Sequence, residues 1–164
     1  LKPKTGPEDA QGLSFRIMAP LPGAEPVMTG HDRGTITLNL DEADDVYRET
    51  TRAQFGEPWR TLLGHLRHEV SHYLHYRWIA GNAEAEALFR KAFGDEREDY
   101  TEALARYHER GARPDWQLSF LSPYASAHPH EDWAETCANW LLVVDAVETA
   151  GACVIAVSCR LQSP

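Results

Sequence analysis

Two histidines and a glutamate near the middle of the chain have a spacing that suits chemistry. His68, Glu69 and His72 form the pattern H-E-x-x-H. At about 100° per helical residue, the two histidines fall roughly 40° apart and one turn above the other, so their imidazole nitrogens can converge on one metal ion. Glu69 lies beside that arc, where its carboxylate can reach a water on the ion. The pattern therefore predicts metal-assisted hydrolysis with Glu69 as the general base.

An amphipathic helix is predicted to carry this pattern. Its apolar residues have helical spacing and are predicted to face the core: Leu62, Leu63, Leu66, Val70, Tyr73 and Leu74. Four histidines share the neighbouring arc: His65, His68, His72 and His75. Since H-E-x-x-H also occurs by chance in helices whose histidines are only solvated or hydrogen-bonded, the prediction of a metal site depends on a third ligand further along the chain.

Two glutamates in the last predicted helix are candidates for that ligand. Pro129 suits the first turn of a helix, and Glu131 and Glu135 then share a face at i, i+4. A packing stripe on the same helix is predicted to leave both glutamates facing elsewhere: Trp133, Cys137, Trp140 and Val144. Each glutamate alone has an ordinary explanation, because an early carboxylate caps a helix and a later one forms a salt bridge.

Length, composition and charge limit the class of protein. The chain has 164 residues, 43% of them hydrophobic, which predicts one globular domain. A formal net charge of −9 argues against nucleic acid or an anionic membrane as the partner. Residues 150–159, the longest apolar stretch, are too short to span a bilayer. The acidity says little else about partners, and nothing indicates an oligomeric state.

Cysteine usage indicates a cellular setting. Cys137, Cys153 and Cys159 are odd in number and lack C-x-x-C spacing, so neither a disulfide framework nor a cysteine zinc site is predicted. A reducing cytoplasm is the expected setting. The first residue is Leu1 rather than methionine, which leaves open an export signal removed earlier.

The predicted elements form an α+β domain that is mostly helical, with a small N-terminal β-sheet. Residues 1–12 are predicted to be a flexible lead-in, 13–149 the domain and 150–164 a tail. Strands are predicted at 13–18 and 34–40, the second with clear alternation. Five helices are predicted. The first spans about 41–54, the second carries H-E-x-x-H and ends at Gly81-Asn82, and the third runs from there to about 93. The fourth begins at an N-cap at Asp95 and ends at 111, and the fifth spans 129–149.

Several linked motifs resemble a known family. The segments V-M-T-G-H-D at 27–32, R-H-E-V-S-H-Y-L at 67–74, F-G-D-E at 93–96 and H-P-H-E-D-W-A-E at 128–135 resemble the bacterial zinc-binding metallopeptidases. H-E-x-x-H with a downstream tyrosine and E-x-W-A-E is also similar to the glutamate-liganded zinc peptidases, the gluzincins, particularly the anthrax lethal factor type. The resemblance spans roughly residues 13–149.

The resemblance implies a zincin-like domain with one Zn²⁺ per chain. His68, His72 and Glu131 would be the ligands. Glu135 would be the carboxylate partner that hydrogen-bonds a ligand histidine. Tyr124, seven residues before Glu131 in a segment without periodicity, corresponds to a tyrosine of the lethal factor type and would stabilise the transition state. Two departures stand out: no cysteine-rich zinc ribbon precedes the domain, and the tail does not resemble the family continuation.

The predicted activity is hydrolysis of a peptide or isopeptide bond. Hydrolysis of a non-peptide amide, and a catalytically idle binding module stabilised by zinc, are the alternatives. Glu69 favours hydrolysis, because a structural zinc site needs no base.

Strand 34–40 is predicted to be the sheet edge that receives an extended peptide, with Thr35, Thr37 and Asn39 binding substrate; an internal strand is the alternative. His65 is interpreted as a residue that supports or packs near the site, and His31 as a loop residue that lines the cleft or is exposed.

Overall fold

The computed structural model describes residues 1–55 and 61–154. Its strands are β1 (Ser14–Met18), β2 (Gly30–Asp32) and β3 (Thr35–Asn39), and its helices are α1 (Asp45–Phe55), α2 (Leu62–Trp78), α3 (Ala83–Phe93), α4 (Tyr100–Arg110) and α5 (Pro129–Ala152). Short 3₁₀ turns lie at Leu40–Ala43, Trp116–Leu118 and Tyr124–Ser126. The predicted α+β class, mostly helical with a small N-terminal sheet, is confirmed.

The sheet has the order β1-β3-β2, with β1 parallel and β2 antiparallel to β3. The prediction that β3 is an edge is therefore wrong, because both of its sides are paired. A tight hairpin joins β2 to β3 through Arg33 (φ 41°) and Gly34 (φ 80°), the two positive values that such a turn requires. A Cβ on Gly34 would meet the carbonyl oxygen of Gly12 at 2.3 Å, so glycine is needed there for space as well.

The N-terminal segment contacts the sheet and α2. Lys4 donates its backbone N–H to the carbonyl of Leu13 at 2.9 Å and its ammonium to Thr35 Oγ1 at 3.0 Å. The Tyr73 hydroxyl donates to the carbonyl of Gln11 at 2.8 Å. The division of the chain at residues 12 and 149 stays a prediction, although α5 continues to Ala152.

Caps explain where the middle helices begin. Asn82 accepts backbone N–H groups at the start of α3, as its position after Gly81 predicts. The predicted N-cap at Asp95 is wrong. Asp99 caps α4 instead, accepting from the backbone N–H of Glu102 at 2.8 Å, while the Asp95 carboxylate pairs with Arg97. Both acids suit a cap by residue type, so local sequence alone does not choose between them.

The packing of α2 differs from the predicted leucine stripe. Leu62 and Leu63 are exposed, and the buried residues of α2 are His68, Glu69, Ser71, Tyr73 and His75. The face that packs against α5 is thus polar and rich in histidine. Because buried polar groups need partners, this arrangement requires α5 to supply them.

On α5 the packed face carries the two glutamates together with small residues. Ala134 and Ala138 are buried and share a face with Glu131 and Glu135 by helical spacing. The predicted stripe fails at Trp140, which is 63% exposed. The glutamates do not face away from the packed side; small alanines let the backbones approach, so the carboxylates reach the histidines of α2.

Candidate metal centre

Three predicted ligands converge where α5 crosses α2. Ligand atoms of His68, His72 and Glu131 lie within 4.8 Å of one another. His68 Nε2 is 3.1 Å from His72 Nε2 and 3.1 Å from Glu131 Oε2, and His72 Nε2 is 3.6 Å from Glu131 Oε1. Atoms that surround zinc tetrahedrally at ~2.0–2.1 Å are about 3.3 Å apart. The observed spacings therefore fit one zinc ion.

The hydrogen bonding of His68 supports this fit. Its Nδ1 lies 2.8 Å from Glu135 Oε1, and since a carboxylate only accepts, Nδ1 carries the proton. In the neutral ring, the lone pair of Nε2 then faces the carboxylate of Glu131, which is 1% exposed. Two acceptors that face each other in a buried site require a positive charge between them. Either a second proton on the ring or a metal ion satisfies that requirement, and the metal ion also accounts for the approach of His72 Nε2 to the same atoms.

The electrostatics of the centre point the same way. Burial by itself lowers the pKa of His68, but its hydrogen bonds to Glu131 and Glu135 outweigh that effect and raise the pKa to about 10. Burial would raise the pKa of Glu131, yet His68 and His72 hold it well below its usual range. The carboxylates therefore make this pocket one that attracts a cation.

The two glutamates differ in position. Glu131 lies among the ligand atoms, whereas Glu135 bonds the opposite ring nitrogen of His68. The helix cap is His128, whose side chain accepts the backbone N–H of His130 at 3.1 Å. The alternative reading of Glu131 as the cap is thus not needed. Glu135 has the geometry of a carboxylate that orients a ligand histidine.

Two tyrosines lie beside the carboxylate of Glu131. Tyr100 donates its hydroxyl to Glu131 Oε1 at 2.6 Å, a contact that the sequence did not predict. Tyr124 has its ring centroid 6.2 Å from that of His68 and packs edge-on against Tyr107 at 5.5 Å. Burial, followed by the charge of Glu131, raises the pKa of both tyrosines above the usual range, so both hydroxyls remain hydrogen-bond donors.

The predicted base is buried and contacted by a histidine. Glu69 is 5% exposed, and its Oε1 lies 3.5 Å from His65 Nε2. His65 Nδ1 in turn lies 2.7 Å from Oε2 of Glu42, which precedes α1 in the first 3₁₀ turn. Burial would raise the pKa of Glu69, but the His65 contact and the charges of His68 and His72 lower it. Glu42 was not predicted, since an acid-rich helix start usually is a solvated face.

A cavity of about 1540 Å³ opens onto these groups. Its lining includes Glu69, the three candidate ligands, Tyr100, Tyr124 and, from β2, His31 and Asp32. Of the three residues predicted to bind substrate, Asn39 is in the lining. Thr35 lies at the opposite end of β3 from Asn39, where its hydroxyl contacts Lys4 and Ser14.

His31 lies in β2 rather than in a loop and lines this cavity. Its Nε2 accepts the backbone N–H of Gly34 at 2.9 Å, so it stabilises the hairpin turn.

Within residues 1–55 and 61–154, no helix is both long and apolar enough to cross a membrane.

Comparisons with known proteins identify relatives and a family for this chain. Over 145 residues, or 88% of the chain, the sequence is 48% identical to the Mycobacterium bovis protein named "Uncharacterized protein Mb2598c" and to the Mycobacterium tuberculosis protein named "Uncharacterized protein Rv2568c". The match spans 42% of the length of each relative. No solved structure matches the chain. The family described as "Putative zinc-binding metallo-peptidase" matches residues 1–163, a range that includes the predicted lead-in and most of the tail. The chain therefore belongs to that family of zinc-binding metallopeptidases.

Proposed function

We propose that this chain is a zinc-dependent peptidase of the gluzincin type, with one zinc per chain held by His68, His72 and Glu131. The observation that carries the proposal is that a buried carboxylate of α5 closes onto the two histidines of H-E-x-x-H. Two imidazoles and one carboxylate are the ligand set of catalytic zinc sites that keep a position open. Glu69 lines the same cavity and is not one of the three ligands.

In the proposed reaction, zinc supplies Lewis acidity, which polarises the scissile carbonyl and lowers the pKa of water. The Glu69 carboxylate accepts a proton from the attacking water as the oxygen of that water bonds to the carbonyl carbon. Glu69 then delivers this proton to the leaving nitrogen as the C–N bond breaks. The products are a carboxylic acid and an amine, and Glu69 is again ionised.

The tyrosines have separate roles in this proposal. The hydroxyl of Tyr124 donates a hydrogen bond to the oxygen that becomes negative in the transition state. Tyr100 is bonded to Glu131, so it orients the ligand carboxylate rather than the substrate. Glu135 does the same for His68 through Nδ1. The raised pKa values of both phenols suit this division, because each donor keeps its proton.

The proposed substrate is an extended peptide or protein segment, consistent with the family. The strand edge beside the cavity belongs to β2, which among the described residues is paired on one side only. An extended peptide can add to such an edge through main-chain hydrogen bonds, with Asn39 in the cavity lining beyond it. In this proposal β2 replaces β3 as the strand that receives the peptide. Thr35 and Thr37 are not in the cavity lining. Because the chain spans 42% of the length of its relatives, substrate choice by the whole protein is part of the proposal.

The test is hydrolysis of fluorescein-labelled casein by purified protein. We expect hydrolysis to stop on chelation, to return when zinc is added, and to fall at least ~10²-fold in Glu69→Gln, the scale for loss of a general base. The variant should keep the zinc content of the parent. Glu84→Gln, which removes an exposed carboxylate of α3, is the matched control and should match the parent.

Three results would reject the proposal. Hydrolysis by Glu69→Gln at the parental rate would remove Glu69 as the base. Stoichiometric zinc with no hydrolysis of casein, but with hydrolysis of a small non-peptide amide, would favour the amidase alternative. Zinc without hydrolysis of either probe would favour the binding module.

A further inference from the structure

A chain of three polar side chains, of which the two carboxylates are buried, runs beside the candidate ligands. Glu42 and Glu69 are 4% and 5% exposed, and the imidazole of His65 lies between them. Its Nδ1 is 2.7 Å from Glu42 Oε2, and its Nε2 is 3.5 Å from Glu69 Oε1. The three residues come from two elements, since Glu42 lies in the turn after β3 and the other two lie one helical turn apart on α2.

We propose that Glu42 and His65 are positioning residues that hold the carboxylate of Glu69 in the orientation it needs as a base. The inference rests on the proposed function, because it assigns Glu69 that role. Glu42 fixes the ring of His65 by accepting its Nδ1–H. The ring then presents its Nε2–H to one oxygen of Glu69, since a carboxylate only accepts. The second oxygen of Glu69 is left for the proton of the attacking water.

Burial and location separate this role from a purely structural ion pair. Taking two carboxylates out of water is costly unless both gain partners, and the contacts above give both of them the same imidazole. A link between the turn and α2 would need only the bond from Glu42 to Nδ1. The Nε2 of His65 also approaches Glu69, the predicted base, and Glu69 lines the cavity. The 3.5 Å separation suits a free enzyme, in which catalytic contacts often tighten only with substrate.

The kinetic test uses Glu42→Gln, His65→Leu and His65→Gln in the full chain loaded with zinc, with labelled casein as the probe. We expect kcat to fall about tenfold or more in the first two, the scale for losing a partner that orients a functional group. KM and zinc content should stay within twofold of the parent. His65→Gln, whose amide N–H can still reach Glu69, should recover part of kcat. Asp41→Asn removes an exposed carboxylate one residue from Glu42 and should leave kcat unchanged.

The double variant Glu42→Gln/His65→Leu sharpens this test. If the two residues act as one unit, the double variant loses no more than His65→Leu alone. If the loss of kcat in the double variant is the product of the losses in the two single variants, Glu42 acts independently of His65. If the loss of zinc equals the loss of kcat, His65 acts on the metal ligands. Either result overturns the proposal.

A spectroscopic test does not depend on hydrolysis. In protein labelled with ¹⁵N-histidine and loaded with zinc, the Nδ1 signal of His65 should change in Glu42→Gln, and its Nε2 signal should change in Glu69→Gln. Asp41→Asn should change neither. If His65 responds to neither Glu42→Gln nor Glu69→Gln, the contacts are absent and the inference fails. If both responses occur while the parent hydrolyses no casein, the positioning contacts stand and the proposed function is what fails.

Discussion

Two pairs of histidines lie where α2 packs against α5, and they have opposite environments. The first pair lies on α2, and the second pair joins α2 to α5. His68 and His72 meet the carboxylate of Glu131, and the pKa of His68 is raised to about 10. One turn further along α2, the ring of His75 lies 4.5 Å from that of His130, among aromatic rings such as Phe89 at 4.7 Å. Among the described residues, neither Nε2 of that second pair has a hydrogen-bond partner.

The difference lies in the carboxylates rather than in the histidines. Burial, followed by the neighbouring imidazoles, lowers the pKa of His130 to about 4, so the second pair is neutral at pH 7. The first pair is equally enclosed, but Glu131 and Glu135 reverse the effect of burial on His68. A cation is therefore favoured at the first pair. At the second pair, Glu86 and Glu96 act on His75 and Glu131 acts on His130, but they do not outweigh the effect of burial on the pKa. The comparison predicts metal at the first pair only.

Removal of Glu131 should have the largest effect. Glu131→Ala takes the anion away from both ligand histidines, so zinc affinity should fall by more than ~100-fold, beyond the range for loss of an orienting partner. Competition with a zinc chelator measures this. Glu135→Ala is the matched control and should lose ~10–100-fold. The assignment of the two glutamates is reversed if Glu135→Ala abolishes zinc binding while Glu131→Ala keeps it.

Tyr124→Phe should have the next largest effect, on turnover alone. The change keeps the ring that packs on Tyr107 and removes only the hydroxyl. We expect kcat on labelled casein to fall ~10²-fold, the scale for one oxyanion donor, with zinc content and KM unchanged. A variant as fast as the parent would assign transition-state stabilisation to another group.

Tyr100→Phe should act on the ligand instead. Without the hydroxyl that bonds Glu131 Oε1, the carboxylate loses a fixed orientation, and zinc affinity should fall about tenfold, at the lower end for such partners. The chelator competition used for Glu131→Ala measures it. Unchanged affinity together with a loss of kcat would move Tyr100 to the substrate side of the site.

The smallest effect is expected at the second histidine pair. His75→Leu removes a buried ring whose Nε2 has no partner in the described part of the chain, so the loss of packing is offset by relief of that unsatisfied group. The free energy of unfolding should change by about 1 kcal/mol or less, and zinc content should not change. Urea unfolding and metal analysis test this, and loss of zinc in His75→Leu would break the comparison.

Local signals predict much of the helical framework. The cap at Asn82 and the proline at position 129 locate the starts of α3 and α5, because caps act within one turn. The choice between Asp95 and Asp99 for α4 failed, since both suit a cap by residue type and local sequence alone does not choose between them. The three-residue strand β2 has too few residues for alternation to be visible.

The sequence did not predict the residues that reach the site only through tertiary packing. His68, Glu69 and His72 could be proposed together because they share one helix, and Glu131 because the segment 128–135 resembles the family motif. Tyr100 and Glu42 reach the site across 31 and 23 residues of chain, with no local pattern to mark them. The leucine stripe of α2 misled for the same reason, because the surface of α5 determines which face of α2 is buried.

The most direct test of the account is an anomalous difference map at the zinc edge from crystals grown with zinc. We expect one peak per chain, at bonding distance of ~2.0–2.2 Å from His68 Nε2, His72 Nε2 and a carboxylate oxygen of Glu131, with Glu135 on the far side of the His68 ring. A peak between His75 and His130, or one bonded to Glu135 in place of Glu131, would contradict it.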